Sequence, residues 1–156
     1  MAKTTGVQFL KDLSPGRALS VLKDVRSVPD VWRAKTPSLA ALKNHYGEDF
    51  PVDYMALWLI QINDMLNLTN KMSGAQIDIT ARLIFNENPM LTIADIKVVF
   101  DRAVSGAFGE IYNRLDSAIV CKWFRDYWDE RLNTAADHSI EQHRSRMTQE
   151  QSERRR

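Results

Sequence analysis

The sequence predicts an all-α protein: a compact bundle of about five to six helices with a polar, flexible C-terminal tail. Three observations predict it. Glycine and proline are few, at 6 and 5 of 156 residues, and β-branched alternation is nearly absent. Apolar residues recur at helical spacing in stretch after stretch. Ser or Thr stands before several of these stretches and Gly after some of them, which is the punctuation of helix starts and stops.

The elements follow in chain order. Residues 1–13 precede the first pattern and are expected to be flexible. Ser14-Pro15 reads as an N-cap with Pro at the first helical position. That helix is expected to bury Leu19, Val21, Leu22 and Val25 and to stop near "SVPD" at 27–30. "TPSLAALKNHYGEDF" predicts a short helix from Ser38 to Gly47. "PVDYMALWLIQINDMLNLTNK" is apolar almost all round, the signature of a central helix covered by its neighbours. Ser73 caps the next helix, with Ile77, Thr80, Ala81, Ile84 and Phe85 inward. Thr92 caps "IADIKVVFDRAVSG", with Ile93, Ile96, Val99, Phe100 and Ala103 on one side and Gly106 as a left-handed stop. The longest helix begins at Asp116 or Ser117 and carries Ile119, Val120, Trp123, Phe124, Tyr127, Trp128, Arg131, Leu132 and Ala135 as one stripe. Its other face holds the i,i+4 pairs Lys122–Asp126 and Arg125–Asp129. After Asp137 the chain lacks the apolar payload to fold by itself, so the domains read as 1–137 helical and 138–156 polar tail, the latter either a protruding helix or a frayed terminus.

Composition narrows the class. Apolar residues make up 44% and charged residues 26%, ordinary for a globular protein. A net charge of +1 gives no global signal for nucleic acid. The single cysteine, Cys121, cannot form an intrachain disulfide, and a reducing compartment is the default. The opening segment shows no apolar signal core, and the densest apolar run, 54–62, is too short to span a bilayer. A cytoplasmic protein with no membrane contact is the expectation.

A search for chemistry yields no catalytic residue, no metal site and no cofactor. The sequence has no HExxH, no Cys-x-x-Cys and no phosphate-cradling glycine loop. His138 and His143 do not stack on one helix face, because residues five apart diverge around the helix. Cys121 reads as a small buried hydrophobe. Asp126, Asp129 and Glu130 alternate with Arg and Lys, as on a solvated helix face. The chain is therefore expected not to be an enzyme.

Binding has more candidates. Trp123, Tyr127, Trp128 and Arg131 are either a core seam or a partner-binding face, since Trp, Tyr and Arg dominate binding hot spots. Self-association through that face would make the chain a homo-oligomeric assembly protein. Lys23, Arg26, Arg33 and Lys35, with Arg154, Arg155 and Arg156, are candidate nucleic-acid contacts. Trp32, in "VPDVWRAKTP", reads as a loop anchor or part of an N-terminal contact surface. The segment 79–103 has helix-turn-helix dimensions, but its expected exposed positions, Asp95, Lys97, Asp101 and Arg102, include two acids that oppose insertion between phosphates. Gly106 and Gly109 are expected to form a tight elbow pinned by Phe108, Ile111 and Tyr112.

Two resemblances add an expectation. "NPMLTIADI" resembles a segment of small phage proteins that load and inhibit a replicative helicase. "PSLAALKNHYGEDF", "LTIADIKVVF", "GAFGEIYNRLD" and "WFRDYWDER" together are similar to short uncharacterised helical proteins of Bacteroidetes genomes and their phages or mobile elements. The loader resemblance implies a small helical domain with a tail that engages the helicase. The expected function is then a non-enzymatic adaptor in DNA replication, with a replicative helicase as its protein partner.

Overall fold

A computed structural model describes residues 5–109 and 113–156. Among the described residues there are eight helices: α1 (Thr5–Leu13), α2 (Pro15–Val21), α3 (Val28–Ala34), α4 (Leu39–Tyr46), α5 (Phe50–Met65), α6 (Gly74–Glu87), α7 (Ile93–Ser105) and α8 (Ser117–Arg154). The all-α class holds, and the expected five to six helices become eight. The two additions are short N-terminal helices, α1 and α3. Phe9 of α1 packs edge-on against Phe50 and Tyr54, with centroids at 5.7 and 5.4 Å, and the Tyr54 hydroxyl donates to the Leu13 carbonyl at 2.6 Å. The "SVPD" expected to end a helix instead starts α3. Ser27 accepts from the Asp30 amide, the Asp30 carboxylate accepts from the Ser27 amide, and Pro29 sits in the first turn, where its missing N–H costs nothing. Trp32 thus lies in a helix rather than a loop. Val21, expected inside, is 55% exposed, because α2 ends there and the following turn buries Leu22 and Val25 instead.

The chain divides into two compact units, residues 1–124 and 125–156. Within the first, α5 packs on α2, α4, α6 and α7, and α7 packs on α2 and α3. The roles of α5 and α7 differ from expectation. Leu57, Ile60 and Met65 leave an exposed strip along α5, whereas every residue of α7 from Ile93 to Phe100 is buried. Covered charges explain why the pattern misled. The Lys97 ammonium donates to the Val25 carbonyl at 2.8 Å and pairs with Asp101, while the Asp95 carboxylate accepts from the Thr92 amide and hydroxyl at 2.9 and 2.8 Å. Buried polar groups are tolerated when they are satisfied in this way. Trp58 of α5 meets Phe100 of α7 edge-on, with centroids 5.4 Å apart.

The starts of α4 and α7 are joined. The hexads Ser38–Lys43, "SLAALK", and Thr92–Lys97, "TIADIK", have the same pattern, and their caps form an antiparallel bridge. The Leu39 and Ala40 amides donate to the Leu91 and Pro89 carbonyls. The Ile93 and Ala94 amides donate to the Pro37 carbonyl and the Thr36 hydroxyl. Each helix start therefore finds acceptors for otherwise orphaned first-turn amides beside the other. Ser73 and Gln76 form a capping box on α6, and Gly106, at φ 81°, ends α7 with the left-handed geometry expected of it.

Candidate functional site

Two surfaces were candidates from sequence, and the structure places each. On α8, Trp123 and Tyr127 are buried, at 5% and 0% exposure. The Trp123 ring stacks on Phe108, with centroids 5.9 Å apart and planes 14° from parallel. Trp123 also lines a cavity of about 10 Å³ with Met55, Trp58, Ile96, Phe100 and Phe124, room for about one water. Burial leaves Trp128 and Arg131 at the surface, both partly exposed. The Arg131 guanidinium lies over the Trp128 ring, 4.6 Å from its centroid. Such a contact is worth roughly 0.5–1 kcal/mol when exposed. Cys121 is buried, at 3% exposure.

The start of α8 is fixed locally. The Asp116 carboxylate accepts from the Ile119 amide at 3.0 Å, and the Ser117 and Thr80 hydroxyls meet at 2.6 Å. Asn113, at φ 61°, accepts through its side chain from the Thr69 amide and through its carbonyl from the Asn70 amide. Ile111 and Tyr112, expected to pin the elbow, lie outside the described residues. Beyond its first turns α8 continues as helix through the segment read as a tail, to Arg154. Every residue from Ala136 to Arg156 is exposed. At 1.5 Å per residue α8 is about 57 Å long.

The basic candidates are all exposed. Lys23 and Arg26 occupy the turn before α3, Arg33 lies in its last turn, and Lys35 caps its end at φ 51°. Their charge is partly offset at close range. Asp30 accepts from the Arg26 amide at 3.1 Å and lies 3.7 Å from the Arg33 guanidinium. The Arg26 amide, the Ser27 hydroxyl and amide and the Arg33 charge hold the Asp30 carboxyl below its ordinary value, so it remains ionised. Arg154, Arg155 and Arg156 lie at the far end of α8 in the second unit.

The α7 segment with helix-turn-helix dimensions presents a different surface from the expected one. Asp95 and Lys97 are at 0% and 3% exposure, and Asp101 and Arg102 are half-buried. Burial, more than acidity, separates this helix from a groove-reading one. Among the described residues no group of three His, Cys, Asp or Glu side chains is placed to hold a metal, and no helix is long and apolar enough to cross a membrane.

A scan against protein-family models matches none of them, and searches of curated proteins and of solved structures return no match.

Proposed function

We propose that the chain is a non-enzymatic adaptor of phage or mobile-element type that acts in DNA replication, and that it engages a protein partner through the exposed part of α8. One observation carries the reading: residues 136–154 continue α8 as helix with every residue exposed. Exposed helices are a common recognition element, received in a groove of the partner. Trp128 and Arg131, the aromatic–cation pair left at the surface, lie just ahead of it and suit a binding hot spot. The partner class nominated by the sequence resemblance is a hexameric replicative helicase.

Co-purification tests the proposal. The full chain is expected to retain the helicase, and the chain lacking residues 138–156 is expected to lose it while keeping its helical content. A full chain that neither binds the helicase at micromolar concentration nor alters its loading contradicts the reading.

A further inference from the structure

The exposed part of α8 has a second property, independent of which protein the adaptor serves: its sequence is complementary to itself when reversed. At about 100° per residue, positions 125, 128, 129, 132, 135, 136, 139, 140, 143, 146, 147 and 150 share one arc of about 140°. Leu132, Ile140 and Met147 on it are 53%, 52% and 47% exposed. Charge runs in opposite directions along the same helix. Residues 125–141 hold five acids against Arg125 and Arg131, net −3, whereas residues 142–156 hold five arginines against Glu150 and Glu153, net +3, with His neutral.

The geometry points to a second copy of this chain as the occupant of that face, paired antiparallel about a two-fold axis near residues 137–138. A parallel pair would set the acidic halves together and the basic halves together. The antiparallel pair sets each acidic half against a basic one, and like charges at close range are destabilising while opposite ones favour the register. The arc maps onto itself in this arrangement. Arg125 shares a level with Glu150 of the second copy, and Trp128 shares one with Arg146 and Met147, which offer a cation and a thioether to its ring. Leu132 shares a level with His143. At the axis stand Ala135, Ala136 and Ser139, small residues that let two helices approach to about 8 Å. Trp128 lies on this arc, so the second copy and the adaptor's partner compete for its ring, while the opposite, polar face of α8 remains open.

The test uses the purified full chain without any partner, so its outcome is separate from helicase binding. Sedimentation equilibrium at tens of micromolar is expected to give twice the chain mass of 17.9 kDa. Leu132→Asp combined with Ile140→Asp is expected to return the single-chain mass with helical content unchanged. Cysteine cross-linking fixes the direction, with the native chain as the control because Cys121 is buried. Ser139→Cys is expected to cross-link with a short bis-maleimide. Met147→Cys is not, since antiparallel pairing separates its two copies by about 28 Å along the axis. A single-chain mass at every concentration overturns the proposal, and so does cross-linking of Met147→Cys as efficient as that of Ser139→Cys, the mark of a parallel pair.

Discussion

The Lys97 ammonium donates to the Val25 carbonyl at 2.8 Å across 72 residues of sequence, from inside the most buried helix of the chain. It closes the turn between α2 and α3 onto α7 and also pairs with Asp101, whose side chain is 42% exposed. Lys97→Ala leaves a buried carbonyl unpaired and removes the packing of the long side chain. Allowing for solvent around Asp101, the expected loss is about 2 kcal/mol, or roughly 4–8 °C in melting temperature for a chain of this size. Lys97→Met keeps the packing and is expected to lose less. Thermal unfolding followed by circular dichroism measures both.

Asn63 is the second buried polar anchor. Its side chain donates to the Met72 carbonyl at 3.0 Å and accepts from the Met72 amide at 2.9 Å, which ties the segment after α5 back onto the helix. Asn63→Ala orphans both backbone groups and is expected to cost about 2–3 kcal/mol. A denaturant titration reads this as a lowered midpoint; an unchanged midpoint would show that water replaces both bonds.

Asp30 predicts a pH dependence. Its carboxyl titrates below the ordinary value of 3.8 because of the Arg26 amide first and the Ser27 hydroxyl next. A carboxyl depressed in the folded state contributes stability that is fully present above the unfolded value and is lost as pH falls through the folded one. The native chain is therefore expected to lose stability on acidification below about pH 4, and Asp30→Asn to show a shallower loss over that window. Equal slopes for the two proteins would sink this assignment.

Gly106 ends α7 at φ 81°, with its amide and that of Ala107 returning to the Ala103 and Arg102 carbonyls. A Cβ there meets no atom, so the cost of substitution is conformational. Gly106→Val is expected to lower stability by about 1 kcal/mol or more, and Gly106→Asn by less, because Asn tolerates the left-handed region. Melting temperatures in the order Gly, Asn, Val check the cap.

What the sequence made legible was local. The caps Ser38, Ser73 and Thr92 and the stops Gly47 and Gly106 act on residues a few positions away, and all appear where the pattern put them. What stayed hidden was decided at long range. Lys97 and Asp95 read as exposed because the acceptor and the packing that permit their burial come from elsewhere in the chain. The α8 stripe was visible, but nothing in its spacing said which of its aromatics would be covered. Trp123 and Tyr127 proved buried, while Trp128 stayed at the surface under Arg131. The capping box of α3 was written in "SVPD", yet that segment reads equally as the place where the preceding helix stops.

The most direct test of the adaptor reading is a binding isotherm between the full chain and a purified replicative helicase, repeated with residues 138–156 removed. The account predicts saturable binding at micromolar concentration or below that falls at least tenfold on removal. Equal affinity with and without those residues, or no binding by the full chain, would contradict it.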